Sequence, residues 1–356
     1  MGLLDTGEAL QVRRLTADDD TEVRRLLRRC LGQGPTGDRT AAFFAWKHRE
    51  NPFGSSPGLA ALHDGQIVGV RIFLRWQLEA MGEPVHALRA VDTATDPAHQ
   101  GRGIFRHLTL SLLDDLDRSG EVDLVFNTPN GNSRPGYLKM GWRAVGTLPV
   151  RIAVVRPSRV LSGARAAARA TATGGGDAAS TEKPSRELVS CPFESASTVL
   201  AERGQEVQDI LDEAADVHGL HTPLSLRYLR WRYAEVPDLD YRCIVSEAGG
   251  RLRGVAFGQV RPRGPLAEFT LCDTLLRAGD RRTARRLLSE SRRSGADHVV
   301  VHVPRGSAAE RPALRAGFVR VPHQGLALVA NPRRETPVDP LRPTSWHLSL
   351  GDIGVF

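Results

Sequence analysis

The sequence predicts a mixed α+β protein made of two domains of similar organisation. Its 356 residues correspond to about two domains at roughly 150 residues each. Segments with the apolar spacing of helices alternate with short apolar segments typical of strands, which excludes a pure β-sandwich and a helix bundle. The two halves of the chain also repeat the same short sequences in the same order, which indicates that one fold occurs twice.

The composition is that of an ordinary globular protein, with 41% hydrophobic and 25% charged residues. No segment reaches the ~20 apolar residues that cross a bilayer, and the first residues lack a secretion signal, so we expect a cytoplasmic protein without a membrane partner. The four cysteines, Cys30, Cys191, Cys243 and Cys272, are far apart and form no Cys-x-x-Cys pair. We therefore expect reduced thiols and no metal site.

The basic residues are almost all arginines, and Lys and Arg exceed Asp and Glu by 48 to 41, a net charge of +7. The densest basic run, Arg281–Arg286, has no interleaved aromatic residues on which bases could stack. It is more typical of the solvated face of a helix. We expect no nucleic-acid partner, and the sequence leaves a homo-oligomer open.

Four segments of the first half recur in the second half in the same order. The matched pairs are Trp46–Pro52 with Trp231–Pro237, Gly65–Val70 with Gly250–Val255, Val91–Thr93 with Cys272–Thr274, and Leu138–Trp142 with Leu314–Phe318. Between Ser158 and Arg186, small residues dominate and apolar periodicity disappears, which is typical of a flexible linker. The predicted division is a first domain over 1–157, a linker over 158–189 and a second domain over 190–356.

Each half contains the same predicted order of elements, because apolar runs bounded by glycine or polar residues recur at matching places. The order is an early helix, two strands around a glycine turn, a longer strand, a helix, a short strand, a short helix and a final strand. In the first half, the early helix and the strands up to the short one cover Thr21–Leu31, Leu59–His63, Val68–Leu74, Val85–Thr95 and Val122–Asn127. In the second half, they cover Gln205–His218, Tyr241–Val245, Gly254–Val260, Leu266–Leu275 and His298–Val303.

The loop after the long strand of the first half is the strongest candidate for a binding site. It runs from Asp96 to Phe105, contains Gly101 and Gly103, and leads into a helix predicted from apolar residues at a spacing of four, Ile104, Leu108, Leu112 and Leu116. A tight glycine turn at a helix N-terminus leaves several amide N–H groups pointing to one place, which suits a phosphate. Without further context, such a turn is more often only a tight turn.

This loop resembles the acetyl-CoA loop of the GCN5-related N-acetyltransferase (GNAT) family, which has the pattern Gln/Arg-x-x-Gly-x-Gly/Ala between a strand and a helix. Gln100 and Gly103 match its first two fixed positions, and Phe105 replaces the small third residue. The Phe105 side chain must therefore turn away from a bound pyrophosphate.

The following segment is similar to the family's second signature, an asparagine at a strand end followed by Leu-Tyr-x-x-x-Gly-Phe. Tyr137 and Gly141 keep the family's spacing, whereas Gly136 and Trp142 replace the leucine and the phenylalanine. The resemblance implies two domains, each with a mixed, mostly antiparallel sheet flanked by helices, and acetyl-CoA as co-substrate. The residues that it implies for binding acetyl-CoA are Thr95, Gln100, Gly101, Arg102, Gly103, Ile104, Phe105 and Asn130.

Tyr137 is the predicted general acid. Attack of an amine on a thioester expels a thiolate, whose conjugate acid has a pKa of about 8.5, and a phenol with a pKa near 10 is protonated at neutral pH and able to donate. Its alternative is a core tyrosine with a satisfied hydroxyl. The amine must also lose a proton, and Asp92, Asp96 and His99 are the nearby candidates, with Asp92 taken as the predicted catalytic residue. Because Asp92 recurs as Asp273, a structural Asp-Thr pair is its alternative.

The second half lacks the paired glycines, and Ala313 stands at the position of Tyr137, so we expect no acetyl-CoA there. The predicted function is therefore transfer of acetyl from acetyl-CoA to a primary amine of a small molecule or amino sugar, by direct attack in the first domain. Two alternatives are a non-catalytic CoA-sensing or scaffold protein, and an acyltransferase with a carrier-bound donor. Trp46, Phe53 and Trp76 are either walls of an acceptor pocket or core aromatics.

Overall fold

The computed structural model describes residues 3–4, 10–32, 40–172 and 190–353. The described strands are β1 (Leu3–Leu4), β2 (Leu10–Arg14), β3 (Gly58–His63), β4 (Gln66–Ala80), β5 (Glu83–Thr95), β6 (Leu124–Asn127), β7 (Arg143–Val154), β8 (Glu194–Ser195), β9 (Arg242–Ala248), β10 (Arg251–Arg263), β11 (Leu266–Leu276), β12 (His298–His302) and β13 (Val319–Pro332). The described α-helices are α1 (Asp20–Leu31), α2 (Ala41–His48), α3 (Ile104–Ser119), α4 (Arg134–Lys139), α5 (Pro157–Ala172), α6 (Ala196–Glu202), α7 (Gly204–Asp212), α8 (Leu226–Leu229), α9 (Arg281–Glu290), α10 (Glu310–Arg315) and α11 (Leu350–Ile353).

These strands form one sheet in the order β1-β2-β3-β4-β5-β6-β13-β7-β12-β11-β10-β9-β8. All pairs are antiparallel except β5 with β6 and β11 with β12, which are parallel and lie at corresponding distances from the centre. The mixed α+β class and the mostly antiparallel sheet are therefore confirmed. The predicted order of elements also recurs in both halves, although β4 and β10 extend beyond their predicted ends.

Two predicted segments differ from the structure. The predicted linker begins in α5, which spans Pro157–Ala172, because alanine and arginine are strong helix formers and outweigh the missing apolar period. Residues 173–189 lie outside the described residues. The helix predicted over Gln205–His218 ends at Asp212 and is preceded by a separate helix, α6.

The last strand of each half pairs with the other half. β13 lies between β6 and β7, with Ala330 opposite Phe126, while β7 continues to β12, with Val300 opposite Ile152. The sheet is therefore continuous across the predicted boundary at residue 157, and the division into two domains stays a prediction.

Buried side chains cover both faces of the sheet. α3 and α4 pack on one face of the first half, where Leu108, Leu112 and Tyr137 cluster with Phe73 of β4. On the other face, α1 packs through Val23, Leu26 and Leu27. A central cluster joins the halves: the rings of Trp46 and Trp231 stack with centroids 4.7 Å apart. Each indole N–H donates to the other residue's carbonyl oxygen, at 2.7 and 3.0 Å.

Candidate active site

The site begins where two parallel strands separate. β5 and β6 pair at Ala87 with Leu124, Leu88 with Val125 and Arg89 with Phe126. β5 then continues to Thr95, whereas β6 ends at Asn127. The edge of β5 beyond Arg89 is therefore left without a neighbouring strand on this side, and the helix α3 begins just after that edge.

The turn between β5 and α3 is open to solvent and has the backbone that only glycine adopts readily. Gly101 and Gly103 have φ of +78° and +74°, and a Cβ added at either would meet nothing within 4 Å. Gln100 Nε2 donates to the carbonyl oxygen of Thr95 (3.2 Å), which ties the turn to the strand end. Arg102 is half-buried beside the two exposed glycines.

The N-terminus of α3 faces this turn. Its first intrahelical bond runs from His107 N to Gly103 O (2.9 Å), so the N–H groups before His107 have no acceptor within the helix, and no side chain caps it. Ile104 anchors the helix on β4: a Cβ at Gly69 would lie 2.6 Å from Ile104 Cγ2. The turn therefore presents unpaired amides and the positive end of a sixteen-residue helix at one place.

Tyr137 lies next to this turn, on α4. Its ring meets the ring of Phe105 edge to face, with centroids 5.8 Å apart. Phe105 is partly buried, and its ring turns inward to Tyr137 rather than outward over the glycines. Tyr137 is 4% exposed, so its ring is a core residue as well as a site candidate.

The Tyr137 hydroxyl has a partner that the sequence did not suggest. Arg71, on β4, donates from Nη1 to the phenol oxygen at 3.0 Å. Because the oxygen accepts this bond, the O–H hydrogen is available to donate elsewhere. The only hint in the sequence is that Arg71 interrupts an otherwise apolar strand.

The asparagine at the strand end is Asn127, and not Asn130. Asn127 is 6% exposed, and its Oδ1 is buried with no hydrogen-bond partner among the described residues. Asn130 is exposed, and its Oδ1 accepts from Ser133 N (2.9 Å) in the turn before α4. Asn127 therefore has an unpaired acceptor at the end of β6, and a binding role for Asn130 stays a prediction.

Asp92 lies on the other face of the sheet, in a strained β-bulge. Arg71 is opposite Thr93 and Ile72 opposite Val91, so Asp92 is the extra residue, and its φ is +35°. Such a φ is costly for a residue with a side chain and is often kept at functional sites.

The Asp92 carboxylate belongs to a buried hydrogen-bonded array. Lys47 Nζ donates to its Oδ2 (2.6 Å), and His48 Nε2 lies 2.8 Å from the same oxygen. His48 Nδ1 lies 2.9 Å from Oγ of the half-buried Ser56. Lys47 and His48 are 1% and 2% exposed, so Ser56 is the most accessible of the three residues bonded in this array.

The other two candidate bases support the turn. Asp96 Oδ1 accepts from Ala98 N (2.9 Å), and its Oδ2 pairs with Arg29 Nη2 (2.6 Å). His99 packs against the ring of His63, with centroids 5.0 Å apart. Trp46 and Trp76, each 1% exposed, are core residues, while Phe53 is partly buried against Trp76.

The corresponding place in the second half is closed. α9 begins after Asp280, whose Oδ1 accepts from Thr283 N (2.9 Å). Burial opposes ionisation of this carboxyl, but bonds from the Thr283 amide and hydroxyl lower its pKa below the usual range. The Asp280 carboxylate therefore caps the N-terminus of α9, whereas no side chain caps the N-terminus of α3. The arginines of α9 are exposed, as the sequence predicts.

Two negative findings concern the described part of the chain. No group of three or more His, Cys, Asp or Glu side chains there could hold a metal ion. None of its helices is both long enough and apolar enough to span a membrane.

Comparison with known proteins finds one family model that is similar to part of the first half. Residues 11–145 match the family model of the acetyltransferase (GNAT) domain. No protein with a curated function matches the sequence.

Solved structures share the fold across most of the chain. A probable N-acyltransferase from Enterococcus faecalis V583 has a TM-score of 0.58 at 14% identity, over 90% of this chain and 72% of that one. A GCN5-related N-acetyltransferase from Anabaena variabilis ATCC 29413 has a TM-score of 0.58 at 11% identity, with the same coverage. One from Kribbella flavida has a TM-score of 0.55 at 14% identity, over 90% of this chain and 70% of that one. At these identities the likeness concerns the fold alone.

Proposed function

We propose that the first half of the chain binds an acyl-CoA, with acetyl-CoA as the expected donor, and transfers the acyl group to a primary amine of a small molecule. One observation carries the proposal: the open glycine turn at the N-terminus of α3 adjoins Tyr137 where β5 and β6 separate. A diphosphate binder and a proton donor are thus next to an unpaired strand edge.

The residues fit coenzyme A. The turn from Gln100 to Phe105 offers unpaired amides to the pyrophosphate, and space outside Gly101 and Gly103 allows close approach. The free edge of β5 up to Thr95 and the buried Oδ1 of Asn127 offer hydrogen-bonding groups to the amides of the pantetheine chain. When bound, the thioester supplies the acyl group and a thiolate leaving group.

Tyr137 is the proposed general acid. Its O–H hydrogen is available because the oxygen accepts from Arg71. The same bond fixes the direction of the phenol, so Arg71 is a positioning residue for it.

Proton removal from the amine is assigned to the opposite face of the sheet. With Nε2–H donating to Asp92, Nδ1 of His48 accepts the hydroxyl hydrogen of Ser56. The Ser56 oxygen can then take a proton from an amine while its own proton passes to Nδ1, which leaves His48 protonated. In this arrangement Asp92 orients His48 and stabilises its protonated form, rather than contacting the amine itself. Within this array, Asp92 directly precedes Thr93, which pairs with Arg71 of the neighbouring strand.

Calorimetric titration of acetyl-CoA into the wild type and a Gly101→Val/Gly103→Val variant tests the donor site. The wild type should bind, and the variant should lose at least tenfold in affinity, because two β-branched residues strain the left-handed turn and fill the approach to its amides. Gly249→Val/Gly250→Val is the matched control: both residues have positive φ and open surroundings, in the β9–β10 turn. No binding by the wild type, or equal loss in both variants, would contradict the proposal.

A further inference from the structure

Arg71 is a buried cation with no anionic partner in the described part of the chain. Its side chain is 0% exposed, and its Nε and Nη2 have no hydrogen-bond partner among the described residues. The rings of Phe73, Phe105 and Tyr137 surround the guanidinium, with centroids 4.3, 5.7 and 5.5 Å from Cζ. No carboxylate of the described residues lies within ion-pair distance of the Arg71 guanidinium.

This environment does not balance the charge. The rings attract the cation through their faces, and the phenol of Tyr137 accepts one bond, but all of these groups are neutral. A buried guanidinium without a counter-charge is strongly unfavourable, and proteins usually supply a carboxylate or phosphate for it. An anion that is not among the described residues is therefore expected at Arg71.

The two unpaired nitrogens define the shape of that anion. Nε and Nη2 lie on the same edge of the planar guanidinium, and their N–H bonds form the fork that binds both oxygens of a carboxylate. Tyr137 occupies only the opposite nitrogen, Nη1. The diphosphate of the donor is provided for elsewhere, at the solvent-facing amides of the turn, whereas Arg71 is interior to that turn.

We propose that Arg71 binds a carboxylate group of the substrate, an inference that rests on the proposed acyl transfer. The carboxylate belongs either to the acyl group, as in the half-thioester of a dicarboxylic acid, or to the acceptor, as in an amino acid. Phe105 is the one partly buried ring around Arg71, so the carboxylate reaches the fork past its side chain. Arg71 is then a specificity-determining residue as well as the partner of Tyr137.

Two titrations and one assay distinguish the sources. Succinyl-CoA and butyryl-CoA have acyl chains of equal length, with and without a carboxylate, and are titrated into the wild-type protein. If the acyl group carries the carboxylate, succinyl-CoA should bind at least tenfold more tightly. If the acceptor carries it, the two donors should bind alike, and kcat/KM for acetyl transfer should be at least tenfold higher for amino acids than for their decarboxylated amines.

Variants connect the preference to the fork. Arg71→Met should reduce either ratio to about one, and Arg71→Lys, which keeps the charge but lacks the fork, should give an intermediate ratio. Arg232→Met is a control, because Arg232 is equally buried but bonds to Gly351 O and Tyr241 in the second half; this variant should keep the wild-type ratio. Thermal melting verifies that each variant folds.

Several outcomes would overturn the proposal. Wild-type protein that binds acetyl-CoA but shows neither carboxylate preference rules out the carboxylate site and leaves the acyl-transfer proposal standing, and this comparison needs no variant to fold. A preference that survives in Arg71→Met also overturns it. Absence of binding by any acyl-CoA contradicts the proposed function itself, and the inference with it.

Discussion

The hydroxyl of Tyr137 is the proposed proton donor, and its removal tests that role separately from donor binding. Tyr137→Phe keeps the ring contacts with Phe105 and Trp142 but removes the oxygen that accepts from Arg71. We expect kcat to fall at least tenfold, because the thiolate then leaves without a proton, while the Kd of acetyl-CoA changes little. Steady-state kinetics with a titration of the donor measures both quantities.

Tyr241→Phe is a matched control for this change. Tyr241 is also a buried tyrosine that accepts from an arginine, Arg232 Nη1 at 2.7 Å, but it lies in the second half. Its loss should leave kcat unchanged. Equal activity of Tyr137→Phe and wild type would remove the acid role, and donor binding without any turnover by the wild type would favour the non-catalytic alternative.

At the scale of single residues, the sequence motif led to Tyr137 and the glycine turn, because both depend on local spacing. It did not lead to Arg71 or His48, because their importance arises from contacts with residues 66 and 44 positions away. A lone arginine within the apolar strand from Ile67 to Leu74 was the available signal. Buried charges in such strands are rare enough to justify attention.

At the scale of elements, the junction between β2 and α1 is held by one carboxylate. Asp19 pairs with both terminal nitrogens of Arg13, at 2.7 Å each, and accepts from Thr16 N at 2.8 Å. The bond from Arg13 is the main cause that lowers the pKa of Asp19 to about 2. The ionised form is therefore favoured in the folded state, where it fixes the start of α1.

Asp19→Asn should lower the free energy of unfolding by about 1–2 kcal/mol at pH 7, after allowance for the partly exposed Arg13. An acid whose pKa is lowered by folding stabilises fully above its unfolded value, near 3.9, and loses this contribution as the pH falls toward 2. The difference between wild type and variant should therefore shrink below pH 4. Urea unfolding at pH 7 and pH 3 measures it, with the exposed neighbour change Asp18→Asn as control; a difference independent of pH contradicts the assignment.

Local sequence patterns predicted most helices and strands, but they did not predict the helix α5 or the partner strands of β7 and β13. In α5, helix propensity prevailed over the absence of an apolar face in a segment predicted to be a linker. The pairings of β7 and β13 depend on strands more than 140 residues distant, and nothing in either strand's own sequence specifies which strand of similar character becomes its neighbour.

At the scale of the whole molecule, the sheet order and the sequence repeat agree with a duplicated fold. The parallel pairs, the Trp46–Trp231 stack and the carboxylates Asp92 and Asp273, bonded to His48 and Tyr233, occur at matching places. The copies differ where binding is proposed, since an amide-bonded Asp280 replaces the open turn. Duplication remains a prediction, and it explains why one copy could lose the open turn while the shared sheet was kept.

The strands β7 and β13 are exchanged, because each pairs with a strand of the other half. This exchange predicts that the halves fold as one unit. β13 lies next to β6, and β7 lies between β13 and β12, so a fragment of 1–180 would lack β13, one of the two neighbours of β6, and expose unpaired strand edges. Calorimetry of the intact chain should show a single transition whose calorimetric and van't Hoff enthalpies agree. Fragments 1–180 and 181–356 should each be insoluble or lack cooperative unfolding when expressed alone.

Co-expressed, the two fragments should purify together and bind acetyl-CoA, because the cut lies in the segment between α5 and β8 and leaves every strand pair intact. Two separate transitions, or a fragment 1–180 that folds and binds the donor alone, would show that the exchange is not required.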